Sequence, residues 1–429
     1  MSPLISRPLT LQKIRRIAIG ISLLLLCGGI GYYLGFRRAA KEFSVSPMTI
    51  FDVVNRDVPP EHRAINFSLF WQVWDELEQS YLDPTKINAE KMVYGAISGM
   101  TSALGDPYTV FLSPQDNQQT KENLAGAFFG IGIQIGYRDH QLAVIAPIKS
   151  APAQEAGIQS GDFILRITDS GKGIDRETQA MTLNEAVSLI RGDLGTNVVL
   201  RIARDGTDEP FDVTVQRKEI LIPSVELTFL AVEDREGRFV AHLRLTQFGE
   251  RTKAEWDEAV TTILSRRAEV DGIVFDVRDN PGGFLSGAIQ LASDFLKNGT
   301  VVMQQGRQGS QTYNAENGGR LVGIPVVMLV NGGSASASEI VAGALRDRLG
   351  VTLVGEKTFG KGTVQEAKDL TGGAGLHVTT SKWILPSGQE IADTGLAPDV
   401  EVAQVEEPEG EESVDEQLNK AIELVISDK

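Results

Sequence analysis

A serine and a lysine in the second half of the chain occur in local sequences that can support nucleophilic catalysis. Ser336 follows the apolar run 325–330 and precedes the helical pattern 339–345, which predicts a position where a strand turns into a helix. The start of a helix offers unpaired N–H groups, here including that of Ala337, to a developing oxyanion. Lys361 lies 25 residues after Ser336 between two glycines. We therefore consider Ser336 as a nucleophile and Lys361 as its base.

The positions of the histidines and of Lys361 in the sequence limit which side chain could act as the base. The four histidines lie outside any glycine-rich or helix-capping motif: His62, His140, His242 and His377. A lysine acts as a base only when it is neutral. Lowering the pKa of Lys361 from about 10.4 to roughly 7 or 8 costs about 4 kcal/mol and requires burial away from carboxylates. Segment 358–364 contains no Asp or Glu, which permits this shift.

Other interpretations of these residues are open at this point. Ser336 and Glu339 fit the Ser-x-x-Glu capping box, so the serine can be a structural helix cap. Segment 355–361 nearly matches a phosphate-binding loop, which indicates nucleotide binding. Two departures from the phosphate-binding motif weigh against nucleotide binding. The residue after the lysine is glycine instead of Ser or Thr, and the aspartate-ending strand 273–276 precedes the loop instead of following it.

The two segments together resemble a known family. Residues 334–345 and 355–365 are similar to the carboxy-terminal processing peptidases, also called tail-specific proteases. The resemblance implies that Ser336 is the nucleophile, that Lys361 is the general base and that Gln365 orients the lysine. In a straight strand the Cα atoms of Lys361 and Gln365 would be about 13 Å apart, so the glycine after the lysine must bend the chain.

A second turn is a candidate oxyanion hole. The mainly apolar run 272–277 reads as a buried strand, and the Asn-Pro-Gly-Gly sequence that begins at residue 280 exposes backbone N–H groups. The resemblance implies one donor in this glycine pair, either Gly283 or Gly282, beside the N–H of Ala337. Taken alone, the same sequence is typical of an ordinary tight turn.

Residues 121–218 resemble a PDZ domain, through short strands such as 129–135 and a helix from Thr182. In this resemblance the N–H groups of Gly130 and Gly132 hold the terminal carboxylate of a peptide. The peptide then adds a strand beside Ile131 and Ile133. Two interpretations of Arg191 are open. It couples peptide binding to the active site, or it is a solvated residue at a helix end.

The N-terminal region predicts a membrane anchor. Segment 17–36 holds 20 residues without charge, enough for a helix of about 30 Å that spans a bilayer. Basic residues flank it on both sides, so the charge bias that favours a cytoplasmic N-terminus is slight. The catalytic part is then expected on the far side, periplasmic or extracellular. The alternative is a cleaved signal peptide and a secreted protein.

Composition excludes several classes. The net charge of −16 argues against nucleic acid as a partner. The single cysteine, Cys27, rules out an intrachain disulfide. No metal-binding motif occurs, and neither a metal nor another cofactor is expected. The apolar face of the helical pattern 414–425 predicts a homodimer or higher homo-oligomer, since relatives use this helix in dimerisation.

These observations predict an α/β multidomain fold, with a PDZ-like β-rich module inserted before a crotonase-like or Clp-like serine peptidase core. The predicted order is a cytoplasmic tail (1–16), a transmembrane helix (17–36), a linker (37–65), an N-terminal helical region (66–120), a PDZ-like domain (121–218), the peptidase core (219–403), and an acidic linker with a C-terminal helix (404–429). The expected function is endoproteolysis of proteins with accessible C-termini through a Ser/Lys acyl-enzyme. The alternative is a catalytically silent, membrane-tethered PDZ scaffold.

Overall fold

The computed structural model describes residues 66–138, 140–179, 181–207, 209–233, 235–316, 318–392, 394–404 and 414–427. The chain divides into two compact units, Met1–Val93 and Tyr94–Lys429. Among the described residues, no helix has both the length and the apolar character that a membrane crossing requires. The predicted anchor, 17–36, lies outside these residues.

The helices and strands follow one another in an order that separates a β-rich module from an α/β core. The helices are α1 (Ser68–Ser80), α2 (Ala89–Ser102), α3 (Pro114–Ala125), α4 (Pro152–Glu155), α5 (Leu183–Ile190), α6 (Thr252–Ser265), α7 (Leu285–Phe295), α8 (Ala337–Leu349) and α9 (Glu416–Ser427). The strands are β1 (Val110–Leu112), β2 (Ala127–Gly130), β3 (Ile133–Arg138), β4 (Gln141–Pro147), β5 (Phe163–Asp169), β6 (Ile174–Glu177), β7 (Asn197–Ala203), β8 (Phe211–Gln216), β9 (Lys218–Leu221), β10 (Val225–Ala231), β11 (Phe239–Leu245), β12 (Val270–Asp276), β13 (Thr300–Gly306), β14 (Gly309–Asn314), β15 (Val326–Val330), β16 (Thr352–Gly355), β17 (Thr363–Asp369), β18 (Gly375–Ile384) and β19 (Val400–Glu401).

In the N-terminal unit, aromatic side chains of α1 pack against one another. The ring of Phe70 lies 4.9 Å from that of Trp71 and 6.1 Å from that of Trp74, measured between centroids. Trp74 is buried, and its indole N–H donates a hydrogen bond to Glu78 Oε1 at 2.7 Å. These aromatic residues lie on a helix within the region 66–120, which the sequence predicts to be helical.

The β-rich module is an antiparallel sheet in the order β3-β4-β5-β7-β8, with β6 paired to β5. Its core contains Ile131, Ile164, Ile167 and Leu200, each at most 1% exposed, and α5 packs over it. Strand β3 is at the edge of this sheet. A capping box starts α5, in which Thr182 Oγ1 accepts from the N–H of its third helical residue.

An ion pair inside this module fixes the end of α5. Arg217 is 0% exposed, and its guanidinium lies 2.8 Å from Asp169 Oδ2. The same guanidinium donates to the carbonyl oxygens of Ile190 at 2.8 Å and Leu189 at 3.1 Å, which are the last carbonyls of the helix. These bonds satisfy acceptors that a helix end leaves unpaired.

The α/β core is a twisted sheet in the order β10-β11-β12-β15-β16-β19, parallel from β11 onward. Helices α6, α7 and α8 cover one face of it and α9 covers the other. Strand β12 is buried along its whole length, as expected of a parallel strand covered on both faces. A second sheet, β1-β18-β13-β14 with β17 on β18, carries the residues that follow Lys361.

We predict that Arg217→Met lowers the free energy of unfolding by about 3 to 5 kcal/mol, because it leaves the buried Asp169 carboxylate uncompensated. Arg201→Met is the matched control. Arg201 forms an exposed pair with Asp212 in the same sheet, and its loss is expected to cost at most about 1 kcal/mol. Urea unfolding of the full chain, with hydrogen exchange resolved to residues 127–221, measures both variants. Equal losses would contradict the role given to Arg217.

Candidate active site

Two turns meet at the carboxyl ends of neighbouring parallel strands. Strands β12 and β15 are paired in parallel, so the turns that leave them lie side by side. The turn after β12 contains residues 279–283, and the turn after β15 contains residues 331–336. Active sites of α/β folds are common at this edge of the sheet.

Hydrogen bonds hold the two turns together. The amide of Asn331 donates to Asp279 Oδ1 at 2.8 Å, and the N–H of Asp279 donates back to Asn331 Oδ1 at 2.9 Å. The carbonyl oxygen of Asn280, a residue with 0% exposure, accepts from the N–H of Ala335 and from Ser338 Oγ, each at 3.0 Å. The two turns therefore form one rigid unit.

Ser336 is at the start of α8 in a strained conformation. Its φ of 55° and ψ of −112° are unusual for a residue with a side chain. Ala335 and Ala337 on either side are buried, whereas Ser336 is partly exposed. A strained turn between a strand and a helix is how many serine hydrolases present their nucleophile. The predicted strand-to-helix position of Ser336 is thus where the structure places it.

Glu339 connects the serine to the lysine. Its carboxylate is 0% exposed. One oxygen accepts from Thr358 Oγ1 at 2.6 Å and the N–H of Gly360 at 2.7 Å; the other accepts from the N–H groups of Ser336 at 2.8 Å and Lys361 at 2.9 Å. Burial raises the pKa of Glu339, and these hydrogen bonds partly offset the rise. The sequence indicated only the local capping box.

Lys361 is partly buried and has a lowered pKa. Burial disfavours its ammonium form, and the negative charge of Glu339 opposes that effect without cancelling it. The expectation that no carboxylate would be near Lys361 is wrong, because Glu339 comes from a distant segment. The Nζ atom lies 5.3 Å from the ring centroid of Tyr108, and it makes no hydrogen bond to Ser336 Oγ.

The chain bends directly after Lys361. The N–H of Gly362 donates to the carbonyl oxygen of Gly360 at 3.0 Å. A Cβ atom on Gly362 would lie 1.9 Å from the backbone nitrogen of Ala392, so only glycine fits there. The segment continues as β17 instead of a helix, whereas a phosphate-binding loop opens a helix. This overturns the nucleotide-binding interpretation.

Gln365 lies on β17 and lines the same cleft as Lys361. Its amide donates to Thr363 Oγ1 at 2.8 Å and to Thr379 Oγ1 at 3.3 Å. These bonds hold the amide within the sheet, and its side chain forms no hydrogen bond with Lys361 in this conformation.

The glycine pair is packed against the serine. A Cβ atom on Gly282 would lie 2.8 Å from Ser336 Cβ and 3.0 Å from the backbone nitrogen of Ala337. The N–H of Gly282 already donates to Asn280 Oδ1 at 2.9 Å. Within the described chain, the N–H groups of Gly283 and Ala337 have no hydrogen-bond acceptor. These two groups are the better candidates for oxyanion donors.

A cleft of about 650 Å³ brings these residues together with groups from the β-rich module. Its lining includes Gly282, Gly283, Ser336, Lys361, Gln365, Arg191, Glu122, Phe128 and His377. His377 has a lowered pKa, owing to burial and to the charge of Lys361. No local motif in the sequence marked this histidine as a site residue. In the pairing of β17 with β18, Gln365 lies opposite Thr379 and Ala367 lies opposite His377. Because alternate residues of a strand face the same side, His377 lies on the side of the sheet that carries Gln365.

The predicted peptide-binding residues lie where β2 leads into β3. Gly130 ends β2, Ile131 is buried in the core of the module, and Gly132 has a φ of 73°. Ile133 begins the edge strand β3. Arg191 lies next to Gly130, because a Cβ on that glycine would be 3.8 Å from Arg191 Cγ.

Arg191 is held in the cleft and is not a solvated helix-end residue. Its guanidinium carbon is 4.3 Å from the ring centroid of Phe128, and its Nη1 atom is 3.7 Å from Glu122 Oε2. The Arg191 side chain is 25% exposed. Glu122 lies near the end of α3, where the carbonyl of Asn123 accepts from Gln247 of the α/β core. Arg191 is therefore held against α3, the helix whose end is bonded to the α/β core.

The described residues contain no group of three or more His, Cys, Asp or Glu placed to hold a metal ion. A strained serine at a helix start, paired with free backbone donors and a partly buried lysine, is typical of serine hydrolases.

Comparisons with known proteins identify the family. The model of peptidase family S41 matches residues 239–402, and that of the activating protease CtpB N-terminal domain matches residues 25–116. The carboxyl-terminal-processing protease of Synechocystis sp. is 37% identical over 354 residues, which are 78% of this chain and 81% of the relative. That of Picosynechococcus sp. is 35% identical over 397 residues, covering 86% and 92%. A putative S41 protease from Bacteroides fragilis, 17% identical, shares the fold with a TM-score of 0.51 over 83% of this chain and 97% of that one.

The chain belongs to the carboxyl-terminal processing proteases of peptidase family S41. It is accordingly a serine peptidase, and the predicted family is confirmed. The α/β content of the predicted fold is confirmed as well.

We predict that Glu339→Gln lowers the free energy of unfolding by about 3 kcal/mol. The amide that replaces one carboxylate oxygen cannot accept, so two buried donors lose their partner at about 1 to 3 kcal/mol each. Glu366→Gln is the control, since Glu366 is exposed on β17 and pairs with the exposed Lys368; its effect is expected within about 0.5 kcal/mol. Urea unfolding measures both. A loss below 1 kcal/mol for Glu339→Gln would be inconsistent with four buried bonds.

Proposed function

We propose that this protease cleaves its substrates through an acyl-enzyme on Ser336, with Lys361 as the general base. The observation that carries this proposal is the Glu339 carboxylate, which binds the backbone N–H groups of both residues and so fixes their spacing. The lowered pKa of Lys361 supports it, because a neutral amine is the form that accepts a proton.

In the proposed reaction, Ser336 Oγ attacks the scissile carbonyl carbon while its proton passes to Lys361 Nζ. The carbon–nitrogen bond then breaks, and the leaving amine takes that proton from the Lys361 ammonium. Water, deprotonated by Lys361, attacks the acyl-enzyme and releases a new carboxylate, and the proton returns to Ser336 Oγ. The N–H groups of Gly283 and Ala337 donate to the oxyanion in both halves, with Gly282 shaping the turn.

The base has to move before it acts. Lys361 Nζ rests near the ring of Tyr108, so a change of side-chain rotamer must bring it to Ser336 Oγ. Gln365 lines the same cleft. Once its amide releases the hydrogen bonds to Thr363 and Thr379, it can form a hydrogen bond with Lys361 Nζ and orient the amine.

We infer that the β-rich module captures the C-terminus of the substrate in the manner of a PDZ domain. The edge strand β3 supports this, because an extended peptide can pair with it, while Gly130 and Gly132 approach the terminal carboxylate and Ile131 and Ile133 flank it. The predicted boundaries of this module, 121–218, and of the peptidase core, 219–403, belong to the same proposal.

The setting of the enzyme is likewise a proposal. The uncharged segment 17–36 supports a membrane anchor with a cytoplasmic N-terminus and an extracytoplasmic catalytic part. The apolar side chains Ala421 and Val425 of the C-terminal helix are buried on the chain's own sheet, so this part of the helix is not free to hold a second copy.

We predict that Lys361→Met lowers kcat/KM by about 10²- to 10⁴-fold, the usual contribution of a general base. In the parent, kcat/KM should rise with pH to a plateau, with a midpoint below 10.5, since burial makes Lys361 neutral at lower pH. Lys357→Met, at an exposed position in the same loop, is the control and should leave the rate unchanged. A fluorogenic peptide assay with the full chain, and labelling by a fluorophosphonate, measure both.

Equal rates of fluorophosphonate labelling in the parent and Lys361→Met would remove the lysine from the role of base. Absence of labelling in the parent, while peptides still bind, would instead favour the silent PDZ scaffold.

We predict that Arg191 transmits peptide binding to the cleft by leaving Glu122. Arg191→Met should abolish stimulation of turnover by a C-terminal peptide. Glu122→Gln should lower the peptide concentration for half-maximal stimulation roughly fivefold, because a partly buried ion pair of about 1 kcal/mol no longer competes. Glu155→Gln, which breaks the exposed pair with Lys218, is the control. Unchanged stimulation in Arg191→Met would end this proposal.

A further inference from the structure

The C-terminal helix α9 is built into the α/β core next to the active site. Ala421 and Val425 are both 0% exposed on the face of the sheet opposite α8. A Cβ atom on Gly272 of β12 would lie 2.5 Å from Val425 Cγ2, so the close approach of the helix depends on that glycine. The helix is therefore docked on β12, the strand that precedes the turn 279–283 with its proposed oxyanion donor.

One arginine joins the start of α9 to the end of β12. Arg278 binds Asp415 through two hydrogen bonds, Nη1 to Oδ1 at 2.9 Å and Nη2 to Oδ2 at 2.7 Å. On its other side it binds Asp276, Nε to Oδ1 at 3.0 Å and Nη2 to Oδ2 at 2.7 Å. Its Nη1 atom also donates to Gln417 Oε1 at 3.0 Å. The side chains of Arg278 and Asp276 are 11% and 1% exposed, so solvent screens that pair only weakly, whereas Asp415 is 41% exposed and its pair with Arg278 is screened more.

The carboxylates on either side of Arg278 stay ionised over a wide pH range. Burial raises the pKa of Asp276, but hydrogen bonds from His242 and Arg278 outweigh it and lower the pKa to about 2. The pKa of Asp415 is lowered too, because bonds from Arg278 outweigh its burial. Asp415 Oδ1 also accepts from the N–H of Leu418, so the carboxylate caps the helix that it tethers.

The turn that follows Arg278 needs support from both sides. Asp279 has a φ of 57°, and the oxyanion glycine Gly283 follows four residues after it. Asn331 holds the turn from the side of Ser336. Arg278 is the anchor on the opposite side, and its backbone N–H also donates to Asp276 Oδ1 at 3.0 Å.

We propose that Arg278 and Asp415 are positioning residues, through which the docked helix α9 holds the oxyanion donor of Gly283 in place. This rests on the oxyanion role proposed above. A donor must lie within hydrogen-bond distance of the developing charge, and losing one outright costs about 10²- to 10³-fold in kcat. A turn that is loosened but still present should lower kcat by part of that factor. Cleavage then requires the C-terminal helix to be docked, although α9 does not line the cleft.

The test compares Asp415→Asn with Lys420→Ala in the full chain. Lys420 is on the same helix in an exposed pair with Glu423. Asp415→Asn should lower kcat per active site about tenfold, with the sites counted by fluorophosphonate titration and KM within twofold. Affinity for a peptide aldehyde, which forms a tetrahedral adduct on the serine, should weaken by the same factor. Lys420→Ala should change neither quantity.

Val425→Asp provides a second variant, because it disfavours docking of α9 and leaves Arg278 and Asp276 intact. It should reproduce the loss of kcat per titrated site. Unchanged kcat per site in both variants would overturn the proposal, even if their melting temperatures fall, since α9 would then serve stability alone. Failure of the proposed Ser/Lys mechanism is recognised separately, because Lys361→Met would retain activity in the same assay.

Discussion

The site depends on one buried carboxylate that accepts four hydrogen bonds. One oxygen of Glu339 accepts from the N–H groups of Ser336 and Lys361. The other accepts from the loop before the lysine, including the N–H of Gly360. Only an ionised carboxylate offers four acceptor positions without a donor, so neither its neutral acid nor an amide can replace it. Because the bonds go to backbone atoms, they fix where the two residues lie and leave both side chains free to react.

The same carboxylate creates an electrostatic conflict. A negative charge near Lys361 favours the ammonium, whereas the role of general base proposed for Lys361 requires the neutral amine. Burial prevails, and the pKa of Lys361 is lowered. The contact through the backbone N–H matters here. An ion pair between Glu339 and Lys361 Nζ would stabilise the charged form and occupy the nitrogen that, in the proposed mechanism, accepts the proton of Ser336. The ring of Tyr108 contacts the amine without offering a carboxylate.

How much the sequence could predict depended on the range of the interaction. The turn from β15 into α8, the buried strand β12 and the bend at Gly362 follow from local patterns, and the structure has them where the sequence predicts them. Contacts between distant segments could not be read in this way. Glu339 showed only its capping box, and Arg278 and Asp415 are separated by 137 residues. Such pairs arise from how the sheet and helices pack, which no local period encodes.

Strain explains why so many bonds converge on the two turns. Ser336 and Asp279 both have positive φ values, a conformation that costs a residue with a side chain on the order of 1 to 3 kcal/mol. Each persists because its surroundings over-determine it: Glu339 fixes Ser336, and Asn331 fixes Asp279. Gly282 between them must lack a Cβ, since Ser336 fills that space. A site held in this way responds to its outermost anchors, because releasing one lets a strained turn relax away from the geometry that the oxyanion needs.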